Sequence, residues 1–133
     1  MARLLVGTDS PQTSRQLAAY LESVLPGGDE LYLVNSRVGG EETSADDVAE
    51  GKKALDTLAT RLEDTAEVTR NQFVRGNEPV ADLLGATAEW NPNELVIGIR
   101  KRSPVGKMVF GSTAQELLLK TDRPVRCVPL VTE

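Results

Sequence analysis

The chain has 133 residues, 40% of them hydrophobic and 26% charged, with a formal net charge of −5 and no histidine. This composition is ordinary for a globular protein and predicts one domain over residues 1–133. It argues against general nucleic-acid binding, because an acidic protein repels the phosphate backbone. It also argues against histidine-based catalysis and, with Cys127 as the single cysteine, against a Cys/His metal site.

The chain carries no sequence sign of export or of a membrane span. No apolar run approaches the roughly 18 residues that a transmembrane helix needs. The segment after Met1 has the pattern of a strand and not that of a signal peptide. A lone cysteine cannot form an internal disulfide and suits a reducing compartment. We therefore expect a cytoplasmic protein.

The first half of the chain predicts two strand–helix units. An apolar strand covers residues 3–8, and Ser10 as N-cap with Pro11 at the first helical position begins a helix. Residues 31–35 form a second buried strand, and Ser44 begins a long second helix. Apolar residues at helical spacing support both helices, namely Leu17, Leu21, Val24 and Leu25 in the first and Val48, Leu55, Leu58, Ala59 and Leu62 in the second.

The second half predicts three more strands and two more helices. A strand at residues 68–74 is polar in its middle, which suits the edge of a sheet. A turn at residues 76–79 leads into the third helix, residues 95–97 form the fourth strand, and the fourth helix follows Gly111. The last strand runs from Val125 to Leu130. Because Pro129 lacks a ladder donor, we expect this strand at a sheet edge or a dimer seam.

The alternation of strands and helices predicts an α/β fold. Such an order gives a parallel sheet covered by helices on both faces, which is a three-layer, doubly wound arrangement. Ligands in these folds bind beyond the carboxyl ends of the strands, at the point where the strand order reverses. A reversal beside the first strand would bring Thr8 and Asp9 next to the loop that follows Gly98. We expect the ligand site in that crevice.

A basic segment separates the fourth strand from the fourth helix. Twelve residues, Ile99 to Phe110, show no helix or strand period, and no acidic residue occurs between Glu94 and Glu116. The segment contains Arg100, Lys101, Arg102 and Lys107, which are four of the fifteen basic residues of the chain.

The segment ends at Gly111, Ser112 and Thr113, where Ser112 and Gln115 have the spacing of a capping box. A helix N-terminus with free N–H groups and a partial positive charge is an anion site. Gly111 would let a ligand approach the backbone closely. Two interpretations remain open: a phosphate-binding loop, or a solvated basic loop before an ordinary capped helix.

Other nucleotide-binding and phosphate-binding folds fail on their motifs. Gly106-Lys107 is followed by Met108, so the P-loop pattern is absent, and no Gly-x-Gly-x-x-Gly follows the first strand. A receiver domain has this element order but needs an acidic cluster after the first strand, where this chain has only Asp9. A flavodoxin would need aromatic residues around its flavin, and aromatic residues make up only 4% of this chain.

The chain resembles the universal stress proteins over its whole length. Nucleotide-binding members carry a glycine, two residues, a second glycine, nine residues and then Gly-Ser or Gly-Thr after their fourth strand. This chain has Gly98, Lys101 in place of the second glycine, and Gly111-Ser112 at the same spacing. Three other features also match, which are the Thr8-Asp9 turn, the Gly76-x-x-Pro79 turn and the final strand beginning Pro124-Val125.

The resemblance implies a fold and an assembly. It implies a five-stranded parallel sheet of order 3-2-1-4-5, as in the adenine nucleotide alpha hydrolase-like proteins. It further implies a homodimer paired through the last strand, Val125 to Leu130.

The resemblance also implies a ligand, which is ATP or a related adenine nucleotide, with Mg²⁺ as an optional companion. Asp9 would meet the adenosine end, backbone near Ser36 would line the adenine, and the glycine loop would hold the ribose and phosphates. The cofactor-binding residues expected on this basis and from the basic segment are Thr8, Asp9, Ser36, Gly98, Arg100, Lys101, Gly111, Ser112 and Thr113.

Several of these residues have a second interpretation. Lys101 would either block the backbone approach that a glycine permits or reach the phosphates with its charge. Asp9 would either contact the nucleoside or cap the first helix together with Ser10. Gly98 would be either a ligand contact or a strand-end turn, and Ser36 either a ligand contact or a plain loop residue.

The functional hypothesis is a stress-response regulatory module that binds an adenine nucleotide. With no histidine and no nucleophile–base pair, we assign no catalytic residue and expect at most slow ATP hydrolysis. The alternative is a nucleotide-free member of the same family that acts as a dimeric interaction module for another protein. Lys101 is the residue that favours this alternative.

Overall fold

The computed structural model of the protein describes residues 2–100 and 112–131. Residues 101–111, which hold most of the predicted basic loop, lie outside the described part. The elements follow the predicted order. They are β1 Arg3–Gly7, α1 Pro11–Val24, β2 Asp29–Arg37, a 3-10 turn at Gly40–Glu42, α2 Ala45–Leu62, β3 Ala66–Val74, α3 Pro79–Trp90, β4 Glu94–Arg100, α4 Ser112–Lys120 and β5 Val125–Leu130.

The strands of the described residues form one parallel sheet in the order β3-β2-β1-β4-β5. The predicted order 3-2-1-4-5 is therefore confirmed. The order reverses at β1, because β2 pairs with one side of it and β4 with the other. The polar strand β3 and the strand that contains Pro129, β5, are the two edges, as their sequences predicted.

Alternate strand residues fill two cores, one on each face of the sheet. In β1, Leu4 and Val6 pack with residues of α1 and α2, whereas Leu5 packs on the other face with residues of α3 and α4. This is the predicted three-layer arrangement. Within the described ranges, no helix has the length and apolar character needed to cross a membrane.

The helix starts follow the capping signals in the sequence. The Ser10 side chain accepts a hydrogen bond from the Thr13 backbone N–H, and Pro11 is the first residue of α1. Ser44 forms a full capping box with Asp47 at the start of α2. α4 begins at Ser112, but the side chain of Ser112 lies outside the described part, so its predicted capping box with Gln115 stays a prediction.

Two predicted strand ends are wrong, and both bear on the site. β2 continues to Arg37 because it stays paired with β3, which makes Ser36 a strand residue and not a loop residue. β4 continues through Gly98 to Arg100 because it stays paired with β5. Gly98 is therefore inside a strand and not in a strand-end turn, and the predicted loop does not include Ile99 and Arg100.

Candidate functional site

A cavity of about 340 Å³ opens at the carboxyl ends of β1, β2 and β4. It lies where the strand order reverses, which is the predicted place for a ligand in a parallel α/β sheet. The first turns of α1, α3 and α4 border it. The lining residues are Gly7, Thr8, Asp9, Thr13, Val34, Ser36, Arg37, Pro79, Leu83, Ile97, Gly98, Ile99, Arg100, Thr113 and Ala114.

The cavity brings together most of the residues that the sequence singled out. Six of the nine predicted ligand residues line it: Thr8, Asp9, Ser36, Gly98, Arg100 and Thr113. Lys101 and Gly111 lie outside the described residues, as does the side chain of Ser112. The contact of any of the nine with a nucleotide stays a prediction.

Arg100 links the ends of β1 and β4 across this cavity. Its Nη1 donates to Oδ2 of Asp9 at 3.2 Å, and its Nη2 donates to Oγ1 of Thr13 at 2.9 Å. Burial works to raise the pKa of Asp9, but hydrogen bonds with Thr13 and Arg100 and the charges of Arg100 and Arg37 outweigh it and lower that pKa. Asp9 is therefore an ion-paired carboxylate, and Ser10 supplies the cap of α1.

Arg37, the last residue of β2, is a cavity residue that sequence reasoning missed. Its Nη2 donates to the backbone carbonyl of Asp9 at 2.7 Å. Its Nε is buried and has no hydrogen-bond partner among residues 2–100 and 112–131. The described lining contains two guanidinium groups, those of Arg37 and Arg100, and one carboxylate, that of Asp9. It therefore carries an excess of positive charge.

The available signal for Arg37 was its place at the end of a strand beside the reversal point. The predicted β2 ended at residue 35, so Arg37 was assigned to a loop and not to the end of a strand. Thr13 was missed as well, since a threonine in the first turn of an amphipathic helix has no distinctive pattern.

Thr8 is held by a buried polar network behind the cavity wall. Its Oγ1 lies 2.7 Å from Oγ of Ser14, which in turn donates to the Ala54 carbonyl at 2.7 Å. Because Ser14 has one hydroxyl hydrogen and uses it on Ala54, Thr8 must be the donor to Ser14. The carbonyl of Thr8 accepts a hydrogen bond from Nδ2 of Asn35 at 2.8 Å. These bonds position the end of β1.

Gly98 of β4 packs against the Leu130 side chain of β5. A Cβ at this position would lie 2.7 to 2.9 Å from side-chain carbons of Leu130. That distance is too short for any real contact, so the Leu130 side chain occupies the space that a side chain at position 98 would need. Gly98 therefore has a structural reason to be glycine, independent of its place on the cavity wall.

A buried carboxylate supports the cavity from α3. Asp82 is fully buried, and its Oδ2 accepts a hydrogen bond from Oγ of Ser36 at 2.6 Å. Its Oδ1 accepts from Nε of Arg75 at 3.0 Å and from Nδ2 of Asn77 at 3.1 Å. These three donors compensate the burial of the charge. Ser36 thus lines the cavity with its hydroxyl already bonded on one side.

The described residues offer no obvious metal centre or catalytic pair. No group of three or more histidine, cysteine, aspartate or glutamate side chains is arranged to hold a metal ion in the described ranges. The polar groups of the cavity wall are cations, hydroxyls and one carboxylate. Such a wall offers donors for an anionic group and an acceptor for hydroxyl groups.

Comparisons with known proteins identify the family of the chain. The profile of the Universal stress protein family matches residues 1–129. A Universal stress protein of Mycolicibacterium smegmatis is 33% identical over 98 residues, which are 74% of this chain and 74% of that protein.

Solved structures give the same result at the level of the fold. The universal stress protein from Archaeoglobus fulgidus superimposes with a TM-score of 0.78 at 32% identity, covering 96% of this chain and 98% of that one. The universal stress protein from the same organism in complex with dAMP gives a TM-score of 0.71 at 26% identity, with 96% and 98% coverage. Because the family profile spans nearly the whole sequence, the chain belongs to the universal stress protein family.

Proposed function

We propose that this protein binds ATP or a related adenine nucleotide in the cavity at the carboxyl ends of β1, β2 and β4. The observation that carries the proposal is the convergence of Asp9, Arg37 and Arg100 on one cavity of about 340 Å³. This volume is within the usual range of small-molecule sites. The similar protein from Archaeoglobus fulgidus in complex with dAMP supports the choice of ligand class.

The charges of the cavity suggest how the ligand would lie. The guanidinium groups of Arg37 and Arg100 supply donors that suit phosphate oxygens. The ionised carboxylate of Asp9 only accepts hydrogen bonds, so it suits the ribose hydroxyls. The predicted phosphate role of Lys101, Gly111, Ser112 and Thr113 would complete the site.

Calorimetric titration with AMP and ATP, with and without Mg²⁺, tests the proposal. Arg37→Met and Arg100→Met should each weaken binding by roughly tenfold or more, since each removes a charged donor. Arg70→Met is the matched control, because Arg70 lies on β3, the strand at the far edge of the sheet, and is an exposed arginine that pairs with Asp56 of α2. Wild-type protein that gives no heat with either nucleotide would refute the proposal.

The biological role that we propose is a cytoplasmic, nucleotide-responsive regulatory module that responds to stress and hydrolyses ATP slowly if at all. The described cavity residues include no histidine, and no group in the wall is placed as a general base other than the ion-paired Asp9. A turnover assay should therefore give a rate near background. Sustained turnover that is lost in Asp9→Asn would overturn this part of the proposal.

The second candidate is a dimeric interaction module that works without nucleotide and contacts a partner protein. The observation that favours it is the position of β5 at the sheet edge, where within the described residues it pairs with β4 alone. An unpaired edge is a template for pairing with a second chain. Light scattering would give the mass, and absorbance near 260 nm after denaturation would show whether nucleotide is carried through purification.

A further inference from the structure

We propose that the cavity takes its nucleotide as a metal-free anion, and that Arg37 and Arg100 neutralise the phosphates in place of Mg²⁺. This inference rests on the proposed nucleotide site and names the form of the ligand that the site selects. The family resemblance allowed Mg²⁺ as a companion of the nucleotide, but the residues of the cavity do not fit that ion. Binding of Mg²⁺ to the phosphates should therefore compete with binding of the nucleotide to the protein.

The first step is the supply of carboxylates. Mg²⁺ in nucleotide sites is held by oxygen atoms, usually those of one or two carboxylates together with phosphates and water. The described lining contains one carboxylate, that of Asp9. The carboxylate of Asp82 lies behind the wall and has no solvent exposure. Its oxygens accept hydrogen bonds from three side chains, those of Ser36, Arg75 and Asn77. Of these two carboxylates, only that of Asp9 is accessible from the cavity.

The second step is the surroundings of Asp9, whose oxygen atoms already face arginine side chains. Nη1 of Arg100 lies 3.2 Å from Oδ2 of Asp9, and Nη2 of Arg37 lies 2.7 Å from its backbone oxygen. The hydroxyl of Thr13 accepts a hydrogen bond from Nη2 of Arg100 at 2.9 Å. A metal ion on any of these three oxygens would stand beside a guanidinium group, and like charges at such a separation repel. The oxygens at the end of β1 therefore make a poor metal site.

The third step is the sequence of the basic segment, which adds no metal ligand of the usual kinds. Residues 101–111 contain no aspartate, glutamate, histidine or cysteine. They contain three basic residues, which are Lys101, Arg102 and Lys107. The chain thus adds three cations directly after Arg100 and no acidic group that would offset them.

The fourth step is what the cavity offers to a phosphate. Guanidinium groups bind phosphate oxygens through charge-assisted hydrogen bonds, and these bonds use lone pairs that Mg²⁺ occupies in its complex with ATP. Mg²⁺ also neutralises part of the negative charge that attracts a nucleotide to the arginines. The protein and the metal ion therefore compete for the same oxygens, and free ATP should bind more tightly than its Mg²⁺ complex.

Calorimetric titration with ATP in metal-free buffer and in excess Mg²⁺, at equal ionic strength, measures this competition. We expect ATP to bind roughly tenfold or more tightly in the metal-free buffer, the change that corresponds to one charge-assisted hydrogen bond. AMP is the control ligand, because its single phosphate holds Mg²⁺ only weakly. Its affinity should be nearly the same in both buffers. Equal or tighter binding of ATP in Mg²⁺ would overturn the inference.

Substitution of an arginine identifies the cause of the preference. In Arg100→Met, the ratio of the two ATP affinities should fall by several-fold, because one competitor of Mg²⁺ for the phosphate oxygens is removed. Arg70→Met, at an exposed arginine of the edge strand β3, should keep the wild-type ratio. A wild-type ratio in Arg100→Met would contradict the role of this guanidinium group. Should Arg100→Met fail to fold in a thermal unfolding check, the wild-type comparison of the two buffers still decides the question.

The outcomes separate this inference from the proposed function. If wild-type protein binds neither ATP nor AMP in either buffer, the proposed function fails and this inference fails with it. If ATP binds and Mg²⁺ strengthens the binding, this inference alone is overturned, and loss of that effect in Asp9→Asn would assign Asp9 as a metal ligand. If AMP loses as much affinity in Mg²⁺ as ATP does, the metal ion acts on the protein and not on the phosphates, which also overturns the inference.

Discussion

Arg100 donates a hydrogen bond of 3.2 Å to the carboxylate of Asp9 and so ties the end of β4 to the residue that follows β1. The pair is formed by residues that are distant in sequence but adjacent at the reversal point of the sheet. Both residues lie on the cavity wall. Their contact therefore influences the stability of the fold and also the electrostatic charge of the cavity.

Replacing Asp9 by asparagine should reduce stability only where the wild-type carboxylate is ionised. Folding lowers the pKa of Asp9, so its contribution is present above the unfolded-state pKa of about 3.9 and is lost as the pH falls through the lower folded value. The side chain is half exposed, so the free energy of unfolding should fall by no more than about 1 kcal/mol near neutral pH. Urea denaturation of both proteins at a series of pH values measures this difference in the free energy of unfolding.

A double-mutant cycle of Asp9→Asn with Arg100→Met isolates the interaction between the two side chains. The coupling energy should be constant between about pH 5 and 7 and should be lost as the pH falls below about 3.9 and through the lower folded pKa of Asp9, because protonation removes the charge of Asp9. A coupling that stays constant after Asp9 is protonated would contradict the ion pair.

Gly98→Ala should destabilise the protein by up to about 1 kcal/mol, the low end of the range for overpacking, because the partly exposed Leu130 side chain has to move to admit the methyl group. The added methyl group would lie within 3.0 Å of three side-chain carbons of Leu130. Thermal or urea unfolding measures the effect. Leu130→Ala should leave space for the added methyl group. Gly98→Ala should therefore lower the free energy of unfolding less in the Leu130→Ala background than in the wild-type background.

Gly85→Ala is the matched control for this substitution. Gly85 is in the interior of α3, and apart from its chain neighbours and the backbone of its own helix no described atom lies within 4 Å of its ideal Cβ position. Alanine is favoured over glycine in a helix by up to about 1 kcal/mol, so this variant should be neutral or stabilising. If Gly98→Ala behaved in the same way, the role of Leu130 packing would be refuted.

The order of the elements and of the strands could be predicted because local signals and the family resemblance agree. Ser10-Pro11 and Ser44 mark helix starts that hold in the structure. The polar centre of β3 and the proline at position 129 mark the two sheet edges. These signals are local, so they survive without knowledge of the tertiary contacts.

The ends of β2 and β4 could not be predicted from local patterns, because strand pairing fixes them. Ser36 and Arg37 look like loop residues, but the pairing with β3 extends to Arg37 and Val74. Arg100 looks like part of a basic loop, but β4 pairs with β5 as far as Leu130. The role of Arg37 and the bond from Ser36 to Asp82 are tertiary contacts that spacing alone does not encode.

The thiol of Cys127 should react slowly with a disulfide reagent in the folded protein. Burial raises the pKa of this thiol, so less of the reactive thiolate is present at a given pH. The side chain also packs against the core that includes Leu117. We expect the rate at about pH 8 to be several-fold below that of the urea-unfolded chain, in which the thiol has its ordinary pKa of about 8.5. Equal rates in the folded and unfolded chains would show that the fold does not shield the thiol.

Gly51→Ala should disrupt a buried polar network that lies behind the cavity. A Cβ at position 51 of α2 would lie 2.0 Å from Oδ1 of Asn35 and 2.5 Å from Nε2 of Gln72. These two groups bond to each other at 3.0 Å, and Asn35 also donates to the carbonyl of Thr8 at 2.8 Å. The methyl group must therefore push α2 away from β2 or separate these bonds.

Either response leaves buried polar groups without partners, for which a cost of about 1–3 kcal/mol per group is typical. We expect a lower free energy of unfolding in Gly51→Ala, together with weaker AMP binding in calorimetry, because Thr8 and Asp9 would lose the support that fixes the end of β1. Asn35→Asp at neutral pH should weaken binding as well, since it replaces the donor to the Thr8 carbonyl by a carboxylate. If Gly51→Ala lost stability but bound AMP at full affinity under native conditions, the network would support the fold without positioning the cavity wall.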